Sequence, residues 1–174
     1  ARFVAVAGAS GSGKSSLVRA GLVPKLTRRA DWRVLPPIVP GGRPLDALAR
    51  ALVVGPPTGS DGAPALAERL DAGGAPELLA VVDELLAARE EETNAALLVV
   101  DQFEQLVTQG SEEQTSRFLD LLRGALAAQG SPLRAVVTVR SEYVNEALRL
   151  AAVEERAETY LVTSLDRHQL RDVI

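Results

Sequence analysis

The sequence predicts a three-layer α/β/α sandwich around a mainly parallel sheet, an α/β fold. Three observations carry this. Apolar runs of strand length (Phe3 to Ala7, Ala95 to Val100, Leu133 to Val139) alternate with stretches of helical spacing. Ala95 to Val100 is apolar at every position, as a strand buried on both faces of a parallel sheet reads. A Gly/Ser-rich turn joins the first run directly to a helical stretch, and in open α/β sheets ligands sit at such carboxyl ends of strands.

Composition bounds the rest. A chain of 174 residues is long enough to bury one core, so the expectation is a single domain over 1–174. Aromatics are only 3%, so that core is built from Ala, Val and Leu. The net charge of −4, without a basic stripe, argues against a nucleic-acid partner for this segment. No apolar run approaches the length of a membrane span, and no signal peptide is visible. The absence of Cys excludes disulfides and thiolate metal sites and fits a cytoplasmic protein. Ala1 is not an initiator Met and Ile174 falls inside a helical stretch, so the domain reads as cut from a longer multidomain chain.

Taken in order, the first strand stops at Gly8, and Gly8 to Ser15 (GASGSGKS) fits G-x-x-x-x-G-K-[ST], the phosphate-binding P-loop or Walker A pattern. A triphosphate needs converging N–H donors, and a strand-to-helix turn supplies them from its backbone. The expected phosphate-binding residues are Gly8, Ser10, Gly11, Ser12, Gly13, Lys14, Ser15 and Ser16. The glycines allow positive φ and close approach. Lys14 is a compact charge for the β- and γ-phosphates, and the Ser15 hydroxyl is a ligand for Mg²⁺. The chain writes its other cations almost entirely as Arg, with Lys only at 14 and 25, yet a Lys stands where this loop needs one.

Gly21 and Pro24 are expected to end or kink the helix that follows. Trp32 to Val39 reads as a strand demoted to an edge by Pro36 and Pro37, with Trp32 as a packing residue. Leu45 to Val54 is helical, with Leu45, Leu48, Ala49 and Leu52 on one face. Gly55 to Gly62 is a linker. Two short helices fit Pro64 to Leu70 and Pro76 to Arg89, each with Pro at its first position. Glu90 to Glu92 reads as a solvated boundary. After the buried strand, Ser111 opens a helix through a capping box with Gln114, and Phe118, Leu121, Leu122, Ala125 and Leu126 face inward. Gly130 to Pro132 breaks it, and Leu133 to Val139 is a strand ending at Arg140. Glu142 to Leu150 is helical, Thr159 to Val162 a last strand, and Asp166 a cap for a terminal helix. His168, the single His, reads as a surface residue.

The fold rule brings three strand ends to one sheet edge: Gly8 onward, Asp101 and Arg140. Four apolar residues followed by Asp101 read as a Walker B motif, whose carboxylate holds Mg²⁺ opposite Ser15. Hydrolysis also needs a group that orients or deprotonates water. Gln102 stands directly after Asp101 and can orient; Glu104 can act as the base if the strand end turns promptly. Arg140 can touch the γ-phosphate and report its presence. The catalytic set is thus Lys14, Asp101, Glu104 and Arg140, with Ser15 and Asp101 for the metal.

The stretches GASGSGKSSLVRAGLVPKL, Pro40 to Leu45 with Leu48 beyond, Leu97 to Thr108 (LLVVDQFEQLVT) and VVTVRSEY resemble the novel STAND NTPases, signal-transduction ATPases with numerous domains, related to AAA+. The resemblance implies an ASCE-type sheet with the Arg140 strand between the P-loop and Asp101 strands. It implies Asp101 as the Walker B acid, Arg140 as sensor 1, and adenine as the base. It also implies a nucleotide-controlled switch that assembles as a homo-oligomer through this domain, with effector and WD-repeat domains in the same chain, and a helical lid, winged-helix region and base-holding segment outside residues 1–174. Gln105 and Glu142 depart from the family, which often has Glu and Asp there. A non-hydrolysing nucleotide-binding scaffold is the alternative. Other P-loop classes fit less well: no LSGGQ-type signature of an ABC ATPase is present, and the segment after Asp101 is acidic rather than the Arg-rich lid of a small-molecule kinase.

Overall fold

The fold was analysed in a computed structural model. It describes residues 1–53, 62–88, 93–151 and 158–162. Within them the chain runs β1 (Phe3–Gly8), α1 (Lys14–Ser16), a π-helical turn (Leu17–Leu22), α2 (Val23–Thr27), β2 (Trp32–Val34), α3 (Pro44–Leu52), α4 (Ala63–Ala87) and β3 (Ala95–Val100). It continues with α5 (Gln105–Gln109), α6 (Glu112–Ala127), β4 (Leu133–Arg140), a 3₁₀ turn (Ser141–Tyr143), α7 (Val144–Ala151) and β5 (Glu158–Leu161). The described strands form one sheet in the order β2-β3-β4-β1-β5, and every pairing is parallel.

Alternation along the strands sorts the core into two faces. Phe3, Ala5 and Ala7 of β1, Ala96, Leu98 and Val100 of β3, and Ala135, Val137 and Val139 of β4 face a large cluster that buries Leu48 and Leu52 of α3, Leu70 and Leu78 of α4, and Phe118 and Leu122 of α6. Val6, Leu97, Val99 and Val136 face the other way, against Val18, Leu22 and Leu26 of the P-loop helix. These are the three layers expected. Trp32, partly buried, packs against the second cluster, as expected of a packing residue.

Local sequence explains the element boundaries. The helix after the P-loop does not stop at Gly21 or Pro24 but reaches Thr27 through a widened turn, in which the Val23 N–H donates to the Val18 carbonyl five residues back. An i→i+5 turn ahead of Pro24 absorbs the ring that an ordinary α-turn would have to accommodate. β2 is a short edge strand because Pro36 and Pro37 offer no N–H; pairing resumes at Ile38, which bridges to Val100. The two helices expected from Pro64 and Pro76 are continuous in sequence as α4 but broken at Gly74, whose φ of 61° and ψ of −145° no helix contains. Ser111 Oγ accepts from the Gln114 N–H at 3.2 Å, which starts α6 as the capping box predicts. β5 is an exposed edge on which the Tyr160 hydroxyl donates to Glu158 (2.6 Å), a bond that raises the phenol pKa. The linker from residue 55 to 61, Arg89, the Glu90–Glu92 run, Asp166 and His168 lie outside the described residues.

Gly74 yields a direct test. Its φ and ψ lie where a Cβ is strained, so Gly74→Ala is expected to destabilise by about 1–3 kcal/mol in urea unfolding; an unchanged midpoint contradicts a break at this residue.

Candidate functional site

The carboxyl ends of β1, β3 and β4 are brought level by the register. Gly8 lies opposite Arg140 and Val100 opposite Val137, so Asp101 and Thr138 follow one step on. By strand alternation, positions 97, 99 and 101 of the β3 line and 136, 138 and 140 of β4 share the face covered by the P-loop helix.

The loop from Gly8 to Ser16 lies at this edge. Gly11 (φ 77°) and Gly13 (φ 86°) adopt the left-handed conformation, and a Cβ on either would meet nothing within 4 Å, so the loop's outer side is open. Gly8 is not in the positive-φ region expected of it, but a Cβ there would clash with the Val162 carbonyl and lie 2.8 Å from Ser12 Oγ. Lys14 is buried, and its ammonium donates to the carbonyls of Gly8 (2.9 Å) and Ala9 (2.6 Å), close to Ser12 Oγ. Ser12 is buried, Ser15 is half-buried, and Ser10 and Ser16 are exposed.

Asp101 is 2% exposed. A buried carboxylate needs donors, and three elements supply them. Ser15 of the P-loop helix donates to Oδ1 at 2.6 Å. The Thr138 hydroxyl of β4 donates to the same oxygen. Arg19, in the π-helical turn, pairs with Oδ2 at 2.8 Å. The Asp101 N–H in turn donates to the Ile38 carbonyl of the neighbouring edge segment.

Beyond Asp101 the chain turns at once. Gln102 has φ of 57°, unusual for a side-chain-bearing residue. Its N–H donates to Thr138 Oγ1 at 2.9 Å, and its side-chain oxygen accepts from Gln105 Nε2 at 2.6 Å, which directs its amide along α5. The turn carries Glu104 back to the sheet edge, where it is 8% exposed. Glu104 makes no capping bond to α5; Oε1 pairs with Arg140 Nε at 3.1 Å and Oε2 accepts the Arg140 N–H at 3.3 Å. The prompt turn that a role for Glu104 requires is therefore present.

Two residues of this edge, Thr138 and Arg19, escaped sequence reading, though both carry a signal. Thr138 is a polar residue near the end of an otherwise apolar stretch (Ala135 to Val139), two positions before Arg140, and Arg19 stands one turn after Ser15 on the same helix. The loop side of this edge is an open shelf at Gly11 and Gly13, where an added Cβ would meet nothing within 4 Å. A hollow of about 600 Å³ lies elsewhere, between α3, α4 and α6, and contains none of these residues. The shelf's chemistry fits a Mg²⁺-bound polyphosphate: a hydroxyl and a carboxylate already in contact are hard oxygen ligands, beside a lysine and a glycine loop with room above it.

Comparison with known proteins decides the family. The pattern of the Novel STAND NTPase 1 family matches residues 1–174, the whole chain. The chain belongs to that family. A novel STAND NTPase is thus what the sequence resemblance implied, and its fold is that of P-loop ATPases. Among solved structures it is similar to the ORC2 protein of Aeropyrum pernix in ADPNP–ADP complexes (TM-score 0.60, 15% identity, 99% of this chain and 44% of that one). It is also similar to a Walker-type ATPase of Pyrococcus abyssi (0.53, 16%, 99% and 54%) and to the Drosophila ORC bound to DNA (0.53, 17%, 99% and 40%). At these identities the likeness concerns the fold. The novel STAND NTPase chain spans about half, or less, of those three chains. No curated protein matches it. No described helix is long and apolar enough to cross a membrane.

The Thr138 hydroxyl joins Asp101 to the Gln102 backbone, so Thr138→Val should cost about 1–3 kcal/mol by leaving buried polar groups unpaired. Thr138→Ser, which keeps the hydroxyl, should recover most of that in denaturant unfolding. A Val variant as stable as the parent contradicts the bridge.

Proposed function

We propose that this chain is an ATP-binding and ATP-hydrolysing switch module within a longer multidomain protein. The single observation that carries the reading is the Ser15–Asp101 hydrogen bond, which joins the P-loop to the end of β3 across 86 residues of sequence. Membership of an NTPase family supports a nucleotide as the ligand.

In this reading the backbone of Gly8 to Ser16 cradles the phosphates, with Gly8, Ser10, Gly11, Ser12, Gly13 and Ser16 shaping the loop. Lys14 exchanges its two carbonyl partners for the β- and γ-phosphates. Ser15 and Asp101 hold Mg²⁺, which supplies charge neutralisation on the phosphates. Arg140 meets the γ-phosphate. Glu104 is the group that takes the proton of the attacking water, and its hold by Arg140 makes the two functions interdependent: a γ-phosphate that draws the guanidinium away frees the carboxylate. Gln102, engaged with Gln105, has the weaker case as the water-positioning group. Control of assembly, a homo-oligomer and effector or repeat domains in the same chain follow from the STAND resemblance, and with them a role in signalling or defence and a cytoplasmic location.

The Glu104–Arg140 pair also gives the alternative a footing, because a carboxylate held on both oxygens suits a non-hydrolysing scaffold. Two variants separate the cases. Lys14→Ala is expected to abolish ATP binding in calorimetry; unchanged affinity rejects the site. Glu104→Gln is expected to retain MgATP binding while phosphate release falls at least about 100-fold, the usual scale of a lost general base. No release from the unaltered full-length protein favours the scaffold.

A further inference from the structure

The two oxygens of Asp101 are engaged differently. Oδ1 already accepts two hydroxyls, from Ser15 and Thr138. Both can persist when a cation binds, because a serine hydroxyl that donates its proton to a carboxylate still has lone pairs for a metal. Oδ2 is the oxygen left for a cation or its bound water. The Arg19 guanidinium sits on that oxygen, with Nε at 2.8 Å.

The two partners of this pair differ in cost. Asp101 is buried at 2% exposure, and an isolated carboxylate there is strongly disfavoured, so some positive charge must face it. Arg19 is 48% exposed, so its charge can return to water at little cost, and its long side chain has room to swing. The residue is carried by the π-helical turn, one turn beyond Ser15, on the same side of the helix as the metal hydroxyl. Widened turns of this kind often occur at functional sites.

Resting on the reading of Ser15 and Asp101 as the metal pair, we infer that Arg19 is a positioning residue that competes with Mg²⁺ for Asp101 Oδ2. It keeps the buried carboxylate neutralised and aligned, and it must swing outward before the cation or its water can take Oδ2. The effect is to raise the Mg²⁺ concentration at which nucleotide is held, so that the loop engages the metal complex of ATP only when metal is plentiful. The alternative geometry, in which Arg19 and a Mg²⁺-bound water share Oδ2, makes the opposite statement: Arg19 would then support the metal and its loss would weaken it.

The test is ATP binding followed by fluorescence as Mg²⁺ is titrated, with thermal unfolding in EDTA measured in parallel, on the unaltered protein, Arg19→Gln and Arg19→Lys. Arg19→Gln is expected to lower the Mg²⁺ midpoint roughly 3- to 10-fold, the scale of a half-exposed ion pair. It is also expected to lower the melting temperature in EDTA, so that the same variant is weaker without metal and more easily loaded with it. A merely structural arginine would not give that opposition of signs. Arg19→Lys keeps a point charge without the planar fork and should fall between the two; it is the variant to read should Gln fail to fold. A midpoint that stays or rises in both variants, or an unchanged melting temperature in EDTA, overturns the inference. Absence of Mg²⁺-dependent ATP binding in the unaltered protein instead rejects the metal-site reading beneath it, which distinguishes the two failures.

Discussion

Everything at the carboxyl edge of the sheet depends on one buried charge. Asp101 ends a strand that is apolar on both faces, and at 2% exposure it has almost no water to solvate it. Its carboxylate is tolerable only because the P-loop helix, β4 and the turn carrying Arg19 each send a donor to it. Ser15 and Arg19 belong to the helix that follows the P-loop and Thr138 to β4, far away in sequence, so satisfying Asp101 also fixes how the P-loop, β3 and β4 sit relative to one another. A low-dielectric setting strengthens such a fully satisfied network and penalises a partly satisfied one.

The second consequence concerns Glu104. Thr138 accepts from the Gln102 N–H while donating to Asp101, and this holds the chain in a left-handed turn directly after the strand. The turn returns Glu104 to the edge and into contact with Arg140, two positions beyond Thr138 on the same strand. The charged groups at this edge thus form linked pairs: Lys14 with loop carbonyls, Asp101 with Arg19, Glu104 with Arg140. In the proposed function, a triphosphate with its cation offers each of these groups a stronger partner. Exchange of partners, rather than creation of new charge, is the physical basis for the proposed switch.

Much of this was legible in the chain. The continuous apolar run of β3 announced a doubly covered strand, and the glycine loop between strand and helix announced the site, because both patterns follow from short-range rules. The layers followed from alternation of strand and helix. Other features depended on distant partners and could not be read locally. Gly8 looked like a positive-φ glycine, yet its φ is ordinary and its lack of a Cβ is demanded by Val162, more than 150 residues away in sequence. Gly21 and Pro24 looked like the place where the helix ends or kinks, and a widened turn just ahead of Pro24 carries the helix on to Thr27. Arg19 was not singled out in the sequence, although it stands one turn after Ser15. Only the register that brings β3 beside the P-loop helix shows that its guanidinium lands on Asp101.

In the proposed function a nucleotide and its metal are held at the carboxyl ends of β1, β3 and β4. Amide hydrogen exchange with and without MgATP tests it most directly, since it reports location as well as binding. Slower exchange is expected in residues 9–16 and 101–104, with the helices of the opposite face, α4 and α6, unchanged. Protection centred on those helices, or none at the glycine loop under saturating MgATP, would contradict it.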